Sequence, residues 1–211
     1  MTGKKLLIFD LDGTIINSSR DLTAAVNKMR EKYGCNPLSP ETVTGFIGNG
    51  TDRLIERSIA GTGIDFQEAK EYYSAYYAEN YCVYTTMYND VENSLKYLRE
   101  SGHILAVLTN KQIVSTVLIL KSHGIKKLFH SILGDGSGFP LKPEPEAILS
   151  LTAEYDIPPE DTYMIGDHYT DILAAENSGV HSVYLTYGLG ETRGAVPDMV
   201  FDSFSELAEF I

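Results

Sequence analysis

The stretch LLIFDLDGTIINSS, Leu6 to Ser19, opens the chain almost at once. Four apolar residues in a row end in two carboxylates, Asp10 and Asp12, followed directly by Gly13 and Thr14. A short, continuous apolar run reads as a strand buried on both faces, the kind found in parallel sheets. Burial alone gives such a strand no reason to finish in paired negative charge. The pair therefore marks the place where the sheet meets something other than protein.

Working outward, ILAVLT (104–109), TYMIGD (162–167) and HSVYLT (181–186) repeat the buried-strand pattern, and SILGD (131–135) is a weaker version of it. Helical patterns lie between them. SLKYLRESG (94–102) and VSTVLILKSHG (114–124) each end in Gly, a natural helix stop. PEAILSLTAEYDI (145–157) carries Pro in a first-turn position, and TDILAAENSG (170–179) has a Thr/Asp start and a Gly stop. Strands alternating with helices of this length require right-handed crossovers. They predict an α/β fold: a doubly wound parallel sheet with a Rossmann-like core and helices on both faces.

One region breaks the alternation. Residues 17–88 hold no convincing strand and read as helices over 18–34, 39–47, 50–61 and 65–84. This predicts a small helical cap domain, 17–88, inserted into a catalytic core made of 1–16 and 89–211. The chain would cross between the two near Ile15–Ser18 and Thr85–Asp90. Tyrosines at 73, 76, 77, 81, 84 and 88 keep roughly helical spacing, which fits a packed cap helix with hydroxyls at its edge.

Composition narrows the function. A hydrophobic share of 43% over 211 residues supports a real core and argues against disorder. The net charge of −12 disfavours nucleic acid as a partner, since phosphate backbones select basic surfaces. The longest apolar runs, such as ILAVL, are too short to span a bilayer, so no membrane partner is expected. The start MTGKKLLIFDLDG is basic, but its apolar stretch breaks at Asp10 and makes a poor signal peptide; the expected location is cytoplasmic. Cys35 and Cys82 share no metal-binding spacing and are read as free thiols. The chain is expected to act as a monomer or small homo-oligomer.

In open α/β sheets, ligands bind at the carboxyl ends of the strands. Asp10 and Asp12 follow the first strand, and Thr109, Asn110 and Lys111 follow ILAVL. Lys142 and Pro143 lie past the third strand, and Gly166, Asp167 and Asp171 follow TYMI. Each strand that should point at the crevice delivers polar or charged groups to it.

These residues resemble the haloacid dehalogenase-like superfamily: DLDGT at 10–14, TNK at 109–111, the lone lysine of LKPEP at 141–145, and GDHYTD at 166–171. All four motifs stand in the family's order, and the helical block falls where the family places a helical cap. Within it the chain looks most like phosphoglycolate phosphatases. The resemblance implies a Mg²⁺-dependent phosphatase acting on a small phosphorylated metabolite through an aspartyl phosphate.

Asp10 would be the nucleophile, Asp12 the acid and base, Thr109 a donor to the phosphoryl oxygens, and Lys142 the fixed positive charge. Asp10, Asp167 and the backbone carbonyl of Asp12 would hold the metal, with Asp171 a ligand or a partner behind it. FIGNGTDR (46–53) resembles the family's specificity loop. Gly48, Asn49 and Gly50 are expected at the substrate, with Asn110 on the phosphate and Arg53 on a substrate carboxylate. His168 is read either as facing the substrate entrance or as a surface histidine, and Lys111 equally as pointing to solvent.

Alternatives stay open on the same residues: a sugar-phosphate mutase of the β-phosphoglucomutase type, an inorganic pyrophosphatase, or a non-catalytic binding protein. Asp12 argues against a dehalogenase, which needs no acid there, and against a phosphonatase, which uses a cap lysine.

Overall fold

Leu6–Phe9 forms the central strand, β1, with every residue buried. The computed structural model describes residues 3–211; Met1 and Thr2, the beginning of the expected core span and of the basic start, lie outside them. β1 pairs in parallel with β4 (Ile104–Gln112) on one side and with β6 (Thr162–Gly166) on the other. β5 (Ser131–Asp135), β7 (His181–Leu185) and β8 (Met199–Phe201) complete a six-stranded sheet of order β5-β4-β1-β6-β7-β8 in which every pairing is parallel.

The apolar run of β1 explains its central place. Its side chains alternate between two cores, Leu7 and Phe9 into one and Leu6 and Ile8 into the other. α5 (Val91–Glu100), α6 (Ile113–Ser122) and α9 (Phe204–Phe210) cover the first face, where Phe9 stacks on Phe204 with ring centroids 5.4 Å apart. α7 (Glu146–Tyr155) and α8 (Tyr169–Ser178) cover the second. The doubly wound expectation holds. β8 and α9 are additions to it: the three residues of β8 are too few to show a period, and α9 is a seven-residue helix started by the Ser203 side chain.

Between β1 and α5 the chain leaves the sheet. α1 (Ser19–Lys32), α2 (Pro40–Thr44), α3 (Thr51–Ile59) and α4 (Phe66–Asn80) pack around a hydrophobic core of their own that includes Met29, Val43, Ile55 and Tyr73. α2 and α4 start where the sequence supplies caps, Ser39 accepting from the Thr42 N–H and Asp65 from those of Gln67 and Glu68. We carry forward, as a proposal, the division into a cap of 17–88 and a core of the remainder. The block does contain strand. β2 (Ile16–Asn17) and β3 (Thr86–Met87) pair antiparallel at the two crossings, each only two residues long and so invisible to a periodicity reading.

Cys35 and Cys82 are unpaired. Among the described residues no helix is long and apolar enough to cross a membrane.

Asp21, which the sequence reading passed over, pins the crossings together. It is buried in the first turn of α1, and its carboxylate accepts from the backbone N–H groups of Tyr84 and Thr85 and from the Thr85 hydroxyl, at 2.7–3.0 Å. Asp21→Ala leaves the Thr85 N–H and hydroxyl buried without a partner, and we expect a loss of about 2–4 kcal/mol. A urea unfolding midpoint unchanged from the parent would refute this account of the crossing.

Candidate active site

Because β1, β4 and β6 are neighbours in a parallel sheet, their carboxyl ends share one edge, and the side chains just past them converge. Asp10 follows β1, Asp167 follows β6, and Thr109, Asn110 and Lys111 form the end of β4. Lys142 arrives from the loop beyond β5. Asp10, Thr109, Asn110, Lys111, Lys142, Asp167 and Asp171 are all buried. The Lys142 ammonium lies 3.0 Å from Asp10 Oδ1 and 2.6 Å from Asp171 Oδ1.

Gly13 makes the convergence possible. Its φ is +91°, and a Cβ there would stand 2.0 Å from Asp167 Oδ2. Thr14, in the same turn, donates its hydroxyl to Asp167 Oδ1 at 2.9 Å, while the N–H groups of Leu189 and Gly190 each donate to Oδ2 at 2.8 Å.

The charges do not balance. Asp10, Asp167 and Asp171 each bring a carboxylate oxygen within 4.8 Å of the others, against the one ammonium of Lys142. Burial pushes the Asp10 carboxyl up to about 6 despite Lys142, with Asp171 and Asp12 adding to the rise. Burial also raises Asp167 to about 8, helped by the charges of Asp10 and Asp171 and opposed by the two N–H donors. At Lys142, burial works against the ammonium, but its two carboxylate neighbours outweigh it and raise its affinity for the proton.

Asp10 Oδ1 is buried with the Lys142 ammonium at 3.0 Å as its partner in charge, but it receives no well-aligned hydrogen bond. An all-oxygen cluster with surplus negative charge and an unsatisfied acceptor fits a hard divalent cation such as Mg²⁺. Asp10 and Asp167 are the residues that could hold one. Asp171 stands in the cluster, but both its oxygens are in use. Oδ1 takes Lys142 and Oδ2 accepts the His168 N–H at 3.0 Å, closing a capping box at the start of α8.

The remaining expected site residues divide. Asp12 lies beside Asp10 and lines a cavity of about 40 Å³ together with Thr109 and Asn110. Gly48 and Gly50 reach that cavity from the cap side. Asn110 is less available than expected, because its side chain is spent on backbone. Oδ1 accepts the Lys142 N–H, and Nδ2 donates to the carbonyls of Lys142 and Gly48 at 2.9 and 3.0 Å.

Asn49 does not line the cavity; it donates to the Tyr169 hydroxyl at 2.8 Å and so ties cap to core. Arg53 is a correction. It is the third residue of α3, its side chain points to solvent at 66% exposure, and it pairs with Glu56 at 2.7 Å one helical turn on. His168 is neither at an entrance nor on the surface. It is buried as the N-cap of α8, with Nδ1 2.9 Å from the Thr170 hydroxyl, and its ring lies where a Cβ on Gly48 would approach to 2.7 Å. Burial lowers its affinity for the proton to about 4, which keeps the ring neutral.

Lys111 was missed. It does not face solvent: its ammonium is 3.0 and 3.1 Å from the two oxygens of Asp12, which also accepts from Ser18. The available signal was its spacing. β4 runs on to Gln112, so Lys111 follows Thr109 by two along one strand.

The haloacid dehalogenase-like hydrolase family model matches residues 7–185. A phosphoglycolate phosphatase of Mannheimia succiniciproducens is 37% identical, the alignment covering 98% of each chain. One of Pasteurella multocida is 35% identical with the same coverage. A crystal structure described as a predicted phosphoglycolate phosphatase from Haemophilus somnus superposes with a TM-score of 0.94 at 33% identity, covering 100% of this chain and 99% of that one.

The raised carboxyls carry a pH signature. A carboxyl whose affinity for the proton rises on folding holds a proton that the unfolded chain has lost. Metal-free stability should therefore fall as pH climbs from the ordinary carboxylate value of 3.8 through about 8. Mg²⁺ should displace that proton, so it should raise the melting temperature more at pH 8 than at pH 5, and binding at pH 7 should release about one proton per ion. Calorimetry in two buffers of different ionisation enthalpy checks this; Mg²⁺ binding with no proton release at pH 7 would contradict it.

Proposed function

The chain belongs to the haloacid dehalogenase-like hydrolases, and on that premise we propose that it is a Mg²⁺-dependent phosphatase of a small, phosphoglycolate-like phosphomonoester, working through an aspartyl phosphate. The observation that carries the reading is Asp10 held 3.0 Å from Lys142, with Asp12 two residues on lining the same cavity as Asp10. That the relatives at 37% and 35% identity are phosphoglycolate phosphatases supports the choice of substrate.

In this reading Asp10 attacks phosphorus, and the ester oxygen leaves with a proton from Asp12. Water then attacks the phosphorus, Asp12 takes a proton from it, and Asp10 is released with inorganic phosphate. Lys142 offsets the charge of Asp10 and of the phosphoryl group. Thr109 Oγ1 already accepts the Lys111 N–H at 3.2 Å, so its own proton remains free to donate to a phosphoryl oxygen. A bound divalent ion would supply charge compensation and a template for the phosphoryl oxygens.

Asn110 serves by clamping the backbone of Lys142 on both its N–H and its carbonyl, and Asp171 by aiming the Lys142 ammonium. The cap loop over the cavity limits bulk water, which would screen these charges. The place of action we propose is the cytoplasm, in keeping with the unpaired thiols.

The protein should release phosphate from phosphoglycolate and p-nitrophenyl phosphate with Mg²⁺ and without any sugar bisphosphate. Asp10→Asn should abolish turnover, and Asp12→Asn should lower kcat by about 10²- to 10⁴-fold. Rapid acid quench with labelled substrate should place label on the peptide containing Asp10. Full activity in Asp10→Asn would be incompatible with the mechanism.

A further inference from the structure

We propose that Lys111, with Tyr77, forms the subsite that receives an anionic group on the substrate's leaving side, selecting carboxylate-bearing phosphomonoesters over neutral ones. The inference rests on the phosphatase reading and deepens it by assigning specificity to residues outside the phosphoryl chemistry.

Position comes first. If Asp12 protonates the leaving oxygen, that oxygen lies within hydrogen-bond reach of Asp12. Lys111 Nζ is 3.0 Å from Asp12, so the atoms attached to the leaving oxygen must pass beside the ammonium. In phosphoglycolate the carboxyl carbon is two bonds from that oxygen, close enough to meet Lys111 without a change in the core.

Charge comes second. With Arg53 turned to solvent, Lys111 is the one cation among the described residues that line the cavity, and the cap contributes the apolar Leu22, Ile47 and Leu54 beside Thr51. A second cavity of about 110 Å³ adjoins it and is lined by Tyr73, Tyr77 and Gln112 among others; Lys111, Leu22 and Thr51 line both. The leaving side thus opens onto space in which Lys111 is the single positive charge among the described residues.

The third observation is an orphan. Tyr77, on α4, is buried, and its hydroxyl lies beside the Lys111 ammonium but has no acceptor for its own proton. Its ring centroid is 5.0 Å from the Lys111 ammonium, and it stacks on Tyr73 with centroids 5.7 Å apart. A buried hydroxyl without an acceptor is costly unless a ligand satisfies it. A carboxylate that accepts from both the ammonium and the phenol would use the orphan donor and draw a charge-assisted bond from Lys111. The rival role for Lys111 is purely to orient Asp12, which would affect every substrate alike.

The experiment compares kcat/KM for 2-phosphoglycolate and for 2-hydroxyethyl phosphate, in which a neutral carbinol replaces the carboxylate. The parent protein should prefer phosphoglycolate by at least about tenfold, because a site built around a polar group rejects the analogue that lacks it. Lys111→Met should erase most of that preference, Lys111→Arg should restore part of it, and Tyr77→Phe should reduce it several-fold.

Calorimetric binding of both compounds to Asp10→Asn, with and without Lys111→Met, gives the same comparison without turnover. A parent protein with no preference, or a preference that survives Lys111→Met in both assays, overturns the proposal. Lys111-dependent preferential binding without any turnover would sink the phosphatase reading and leave the subsite standing.

Discussion

Too many carboxylates meet too few cations at the end of β1. Asp10, Asp167 and Asp171 crowd around Lys142 in a buried place where each charge is poorly solvated, and neighbouring structure serves to make that crowding tolerable. Thr14, Leu189 and Gly190 satisfy Asp167, and the His168 N–H satisfies the far oxygen of Asp171. Gly13 is small because Asp167 occupies the space its side chain would need. The protein still leaves Asp10 and Asp167 with raised proton affinity, the state expected of a site assembled for a cation and a phosphoryl group.

Several of the contacts that hold the cap over this cluster converge on one loop. Asn110 reaches the Gly48 carbonyl, Asn49 reaches Tyr169, and Gly48 lies against the His168 ring. Asn110 and His168 are also the residues that hold Lys142 and Asp171 in position. The parts that organise the catalytic charges are therefore the parts that seat the cap, so closure and alignment of the site share residues. The crossings are braced separately by Asp21 and by the pairing of β2 with β3.

Much of this was legible because it follows from local pattern. The apolar runs gave β1, β4, β6 and β7, and glycine stops gave the ends of α5, α6 and α8 to within a few residues. β8 and α9 escaped because three strand residues and seven helical ones show too little period. Asp10, Asp12, Thr109 and Asp167 could be named because strand ends in a parallel sheet share an edge, and Lys142 because LKPEP resembles a motif of the family. Arg53 was misassigned for a physical reason: on a helix, spacing alone does not say which face meets the cavity, and Glu56 three residues on was the better partner. Lys111 and His168 were undervalued because a charge or an imidazole in a loop motif is most often solvated, and only their neighbours reveal burial.

The chain by itself determined the alternation of strand and helix, the helical interruption, and the acids and lysine available at the strand ends, since these depend on periodicity and residue chemistry within short segments. The tertiary structure alone decided which way Asn110, Arg53 and Lys111 point, which hydroxyl of the tyrosine-rich helix is left without an acceptor, and which carboxyls are raised. Those properties depend on distances between segments far apart in sequence, and burial and Coulombic interaction are set by those distances rather than by residue order.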